Sequence, residues 1–110
     1  MNSRVSGLLG ICRKANKMSM GHDACKGSVN SGKAKLCLLS SDASERIYDE
    51  FCSLCSKNSI PVFRISLTIN EIHRLIGYKA GVITINDGGF ADSVIKHITT
   101  ESTSGEEGTI

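Results

Sequence analysis

Leu36-Cys37-Leu38-Leu39 is an unbroken apolar run between Lys35 and Ser40, and no other stretch constrains the fold so tightly. Consecutive residues of a strand point to opposite faces of its sheet, so four apolar residues in a row leave neither face fit for water. Such a strand needs helices on both sides, and the flanking sequence supplies helical patterns. Val5, Leu8, Leu9 and Cys12 follow the i, i+3, i+4, i+7 spacing of a helix ending near Ala15-Asn16, with Arg4, Arg13 and Lys14 outward. Lys17 to Met20 alternates like a short strand. A second helix is predicted from His22 to Ser31, with Asp23 in its first turn, Gly32 as its stop and a thin stripe of Ala24, Cys25, Ser28 and Val29.

Beyond the apolar run, Ser41 or Asp42 is the predicted cap of a third helix that buries Ile47, Phe51, Leu54 and Cys55 and ends by Asn58 and Pro61. Val62 to Ile65 reads as a strand. Thr68 and Glu71 form a capping-box pair ahead of Ile69, Ile72, Leu75 and Ile76, and Gly77 stops that fourth helix. The β-branched Val82 to Ile85 is the last strand, Asn86 to Gly89 a turn, and Phe90, Ala91, Val94, Ile95 and Ile98 line a fifth helix. Alternating strands and helices, with crossovers too long for hairpins, predict a three-layer α/β/α sandwich without internal repeats.

At 110 residues the chain suits one domain, expected over residues 1–100, followed by an acidic flexible tail over 101–110 that lacks apolar periodicity. No stretch approaches the ~20 apolar residues of a membrane span, and no signal-peptide pattern follows Met1, so a cytoplasmic protein is expected. The five cysteines are an odd number set mostly in apolar stretches, which suits reduced core thiols.

The charge is lopsided. Residues 1–35 carry seven Lys or Arg against Asp23 alone, residues 36–100 carry six against seven acids, and the tail adds three glutamates. An anionic partner is therefore expected at the N-terminal third, against the alternative of a merely solvated basic face. Catalytic equipment is poor. Cys52-Ser53-Leu54-Cys55 is a C-x-x-C, but it falls mid-helix, where no dipole lowers a thiol pKa, and no second pair completes a zinc site. His22, His73 and His97 fall on three helices without ligand spacing, and Asp42 and Glu45 are explained by helix capping. No nucleophile elbow, Walker loop or dinucleotide fingerprint is present. The start of the second helix, with Lys14, Lys17, Lys26, Lys33 and Lys35 expected around it, reads as an anion site suited to phosphates.

Several phrases in this order resemble the L-seven-Ae family of ribosomal proteins, which includes the kink-turn RNA binders, over roughly residues 5–98. They are Leu8 to Lys17, Gly21, Ser31 to Leu39, Ser41-Asp42-Ala43-Ser44, Cys55 with Ile60-Pro61-Val62, Leu75-Ile76-Gly77, and Asp87 to Ala91. The resemblance implies a mixed four-stranded sheet, RNA bound by the start of helix two and neighbouring loops, and no catalysis. A-form RNA hides its base edges in a narrow groove, which a sharp kink opens to a helix end. Family members place Asn-Glu after the glycine and a Lys later. Here those positions hold Asp23, Ala24 and Gly27, with Lys26 rotated about 100° around the helix. Asp23 accepts hydrogen bonds but lacks the amide donor of Asn. By the same resemblance, Tyr78 and Lys79 lie beside the RNA site, as base stacker and cation, with Tyr78 as a core-edge residue the alternative.

The sequence thus predicts a non-catalytic, monomeric binder of ribosomal or other structured RNA, without metal, cofactor or membrane, with the ribosome as a further candidate partner. The predicted RNA-binding residues are Lys14, Lys17, Gly21, His22, Asp23, Lys26, Gly27, Lys33, Lys35, Ser41, Asp42, Tyr78 and Lys79. A protein-interaction adaptor on the same fold is the competing reading, and a thiol redox enzyme a distant third.

Overall fold

The computed structural model describes the backbone of residues 3–107 and the side chains of residues 4–98. Five helices alternate with four strands: α1 Ser3–Lys14, β1 Met18–Met20, α2 His22–Asn30, β2 Leu36–Leu39, α3 Glu45–Lys57, β3 Val62–Arg64, α4 Ile69–Ile76, β4 Val82–Ile85 and α5 Gly88–Glu107. The sheet order is β1-β4-β2-β3. β4 runs antiparallel to both β1 and β2, and β2 and β3 are parallel, so the sheet is mixed and has no hairpin.

All of β2 and β4 is buried, as the apolar run demands. Leu36 and Leu38, with Ile83 and Ile85 from β4, join Val5 and Leu9 of α1, Ile72 and Ile76 of α4 and Val94 of α5 in one core. Cys37, Leu39 and Val82 point the other way, onto Cys25 and Val29 of α2 and Phe51 and Cys55 of α3. The strand's two-residue period thus assigns three helices to one layer and two to the other. Thr84 is buried among the second set, and its hydroxyl donates to Asn86 Oδ1 at 3.0 Å.

The capping box at Thr68 is formed, with Glu71 N donating to Thr68 Oγ1 and Thr68 N to Glu71 Oε1. Three expectations need correction. The cap of α3 is Ser44, whose extended backbone turns its side chain to accept from Ile47 N, so neither Ser41 nor Asp42 fills that role. Gly88 and Gly89 are not part of a turn; they open α5, because Asp87 Oδ2 accepts from Phe90 N at 2.9 Å and starts the helix there. Ala24 is exposed, leaving Cys25, Ser28 and Val29 as the buried stripe of α2. The backbone of α5 runs on from Ile98 to Glu107, into the stretch expected to be a flexible tail. Residues 108–110 lie outside the described residues.

Candidate functional site

β1 delivers the chain to α2, β2 to α3 and β3 to α4 at one end of the sheet. Gly21 N donates to Val82 O, Ser40 N to Gly81 O and Ser41 N to Leu67 O, all within 3.0 Å, so the three connections lie side by side. Asp42 Oδ1 accepts from Ile69 N at 3.0 Å, tying the β2–α3 loop to the first residue of α4. Between the three helix starts lies a groove of about 410 Å³. Its walls are apolar at Ile47, Ile69 and Val82, and its rim carries His22, Asp42 and Ser44.

Gly21 is the hinge of this end. Its φ of 90° and ψ of 163° fall in a region essentially reserved for glycine. A Cβ there would also lie 3.3 Å from the Tyr78 hydroxyl, so the ring packs directly against this glycine while Tyr78 stays 45% exposed. Gly77, in the left-handed conformation at the end of α4, turns the chain to present Tyr78 and Lys79. Gly21 has no side chain with which to cap α2, and no side chain caps its first turn.

The side chains around the start of α2 are more acidic than the lysine count suggested. His22 Nε2 lies 2.8 Å from Glu50 Oε2, its Nδ1 lies 3.2 Å from Asp23 Oδ1, and its ring meets Phe51 edge-on. Hydrogen bonds to Asp23 and then to Glu50 hold the imidazole pKa above its ordinary value, so the ring favours its charged form. Arg64 is committed to the loop: its Nη1 donates to the carbonyls of Ser41 and Ala43, its Nη2 reaches Glu45, and its guanidinium lies 4.5 Å from the Tyr48 ring centre. These partners bring Glu50, Tyr48 and Arg64 into the site's framework. No local pattern signals them, because each contact joins separate elements.

Of the residues predicted for this site, Gly21, His22, Asp23, Ser41, Asp42, Tyr78 and Lys79 gather at this end. Lys26 and Gly27 are exposed one turn into α2, with open space around Gly27. Lys14, Lys17, Lys33 and Lys35 do not join them. Lys17 precedes β1 and Gly21 follows it, an extended path of about 13 Å, and Lys33 and Lys35 lie beyond the far end of α2. β1 separates Lys14 and Lys17 from Gly21 and α2 separates Lys33 and Lys35 from it, so lysines close in sequence divide between opposite ends.

The cysteines are free. Burial pushes the Cys12 thiol up to about 11 and Cys25 up to about 12, and hydrogen bonding to Cys55 together with burial raises Cys37 further. Those raised values are the reverse of what an attacking thiolate requires, and Cys55, which the hydrogen bond with Cys37 lowers, is fully buried. Among the described residues no group of three His, Cys, Asp or Glu side chains is placed to hold a metal ion, and no helix is long and apolar enough to cross a membrane.

A profile of the ribosomal protein L7Ae/L30e/S12e/Gadd45 family matches residues 3–95. The RNA-binding protein YlxQ of Bacillus subtilis (strain 168) is 30% identical over 89 residues, covering 80% of this chain and 88% of the relative. A protein of unknown function from Bacillus halodurans C superposes with a TM-score of 0.81 at 26% identity, over 86% of this chain and 96% of that one. The Giardia lamblia 15.5kD RNA binding protein shares the fold, with a TM-score of 0.71 at 18% identity, covering 91% of this chain and 89% of its own.

Proposed function

Since the chain belongs to the ribosomal protein L7Ae/L30e/S12e/Gadd45 family, we propose that it is a non-catalytic RNA-binding protein that takes structured RNA at the end of the sheet where α2, α3 and α4 begin. The observation that carries this reading is the packing of half-exposed Tyr78 against Gly21 beside an uncapped helix start. Free amides and the positive end of α2 suit a phosphate or the acceptor edge of a base. Tyr78 offers a stacking face, Lys79 and Lys26 offer cations, and Asp23 accepts from a guanine amino or imino group. The adjoining apolar groove has room for a base turned out of its stack. The names of the Bacillus subtilis and Giardia relatives support RNA as the partner.

The preferred RNA is ribosomal or kink-turn-like, bound by a monomer in the cytoplasm, because an inserted helix end needs the opened groove of a kink. Its affinity is lower than that of a protein with Asn, Glu and Lys where this chain has Asp23, Ala24 and Gly27. The test compares a kink-turn RNA with an unkinked duplex of the same length at matched salt, using the native chain and Tyr78→Ala. Loss of one stacked base costs about 1–3 kcal/mol, so the variant should bind the kink-turn RNA roughly 5- to 150-fold more weakly. Equal affinity for both RNAs, unmoved by Tyr78→Ala, would reject this docking surface and favour the adaptor reading.

A further inference from the structure

Lys14, Lys17, Lys33 and Lys35 form a separate cluster at the end of the sheet opposite Gly21. Asn86 N donates to Lys17 O and Lys35 N to Ile85 O, both at 2.8 Å, so Lys17 and Lys35 flank the end of β4. Their backbones are thus two strand spacings, or about 10 Å, apart. Lys33 N donates to Ser28 O where α2 ends, and Lys17 N donates to Cys12 O in the last turn of α1, which Lys14 closes. All four side chains are exposed and none forms an ion pair among the described residues. Asp87, at this end, is occupied in capping α5, and Asp92 lies just over one turn into the same helix.

Helix dipoles alone do not account for so many cations. α1, α2 and α3 all finish here, each equivalent to about half a negative charge, so together they balance between one and two lysines. Arg13 and Lys57, in the last turns of α1 and α3, already cover that share. One exposed apolar residue, Ile11, stands a turn before Lys14 on α1, and the rest of the excess charge is carried apart from it by Lys17, Lys33 and Lys35. No large apolar side chain is exposed among Lys17, Lys33 and Lys35, and the hollow beside Lys35 is lined by Gly32, Asn58 and Ser59 over Val29, Ala34 and Ile60, none of which is exposed. A protein partner would need an aliphatic or aromatic anchor, and a membrane an apolar face. Exposed lysines such as Lys17, Lys33 and Lys35, with no anchor of that kind among them, suit a phosphate backbone read without regard to sequence.

We propose that this cluster is a second RNA-binding surface, taking the phosphate backbone of a segment distinct from the one at the start of α2, so that one chain ties two RNA segments together. This surface does not depend on the reading of the α2 end, because a blunt, unkinked RNA duplex suffices to probe it. Changing Lys14, Lys17, Lys33 and Lys35 together to Gln in the full chain should lower the magnitude of the log–log salt slope for that duplex by about 2.8 to 3.6 units, at ~0.7–0.9 per phosphate contact. The corresponding Arg variant should keep the slope, and Tyr78→Ala should leave it unchanged. If the quadruple Gln variant fails to fold, Lys17→Gln with Lys35→Gln should give about half the change. With donor-labelled kink-turn RNA and acceptor-labelled duplex, the native chain should give energy transfer that the Gln variant loses. An unchanged duplex slope in a folded variant, with or without a lowered unfolding temperature, overturns the proposal. So does tighter binding to phosphatidylserine vesicles than to the duplex. Failure of kink-turn binding would remove the energy transfer yet leave the duplex slope, which separates the two readings.

Discussion

Gly21 shows how one residue fixes both a turn and a surface. Alanine there would have to hold a glycine-only backbone conformation and displace the Tyr78 ring. Gly21→Ala should therefore cost about 1–3 kcal/mol in urea unfolding and increase the exposure of Tyr78, measured by its fluorescence quenching. The cysteines illustrate burial. Cys37 sits fully buried in β2 against Cys55, so Cys37→Asp should destabilise by several kcal/mol through an unpaired buried carboxylate, roughly the cost of breaking a buried ion pair. In native protein, iodoacetamide should modify the half-buried Cys52 well before Cys12, Cys25 or Cys37, as peptide mass mapping would show. His22 supplies the pH dependence. Its folded pKa is raised above 6.5 by Asp23 and Glu50. The stabilisation is therefore complete below the unfolded value and is lost as pH rises through the folded one. Glu50→Gln should move the imidazole titration, followed by proton NMR, toward lower pH.

At the scale of elements, what the sequence disclosed was what depends on period and near neighbours. The buried run of β2, the β-branched β4, and the Thr68–Glu71 box all follow from residues within four positions of one another. The cap of α3 did not, because Ser41, Asp42 and Ser44 are all capable caps and tertiary contacts choose among them. Asp42 is drawn to Ile69 N, 27 positions away, which leaves Ser44 to cap α3. Ser44→Ala and Asp42→Ala should each cost about 1 kcal/mol, while Ser41→Ala, exposed and outside either cap, should change stability by less than about 0.5 kcal/mol in the same urea titration. The end of α5 was equally hidden. Its apolar stripe stops at Ile98, but the backbone carries on to Glu107 without one. Glu50 and Arg64, on α3 and β3, enter the site only because the sheet order brings those elements beside α2 and the β2–α3 loop.

The whole molecule sets its charge against the site that its family membership suggests. The sequence shows seven cations before residue 36, yet β1 and α2 separate them, so the start of α2 keeps Lys26 while Lys14, Lys17, Lys33 and Lys35 lie at the other end. The recognition proposed for the α2 end would then rest on geometry and hydrogen bonding more than on field. Its weakest points are Asp23, Ala24 and Gly27. All three are exposed, and a Cβ at Gly27 meets nothing within 4 Å, so Asp23→Asn, Ala24→Glu and Gly27→Lys can be combined without disturbing the core. Replacing Gly27 should also firm the helix by up to about 1 kcal/mol. Each hydrogen bond restored to a buried polar contact is worth about 1–3 kcal/mol, so the triple variant should bind kink-turn RNA tighter by at least the ~5- to 150-fold of a single contact. The three changes add one net positive charge, so its salt slope on an unkinked duplex should grow by no more than ~0.9 unit. Gain on the kink-turn RNA without matching gain on the duplex would mark specific recognition by α2. Equal gain on both would mean that charge alone had changed, and no gain on either would move the functional surface away from the start of α2.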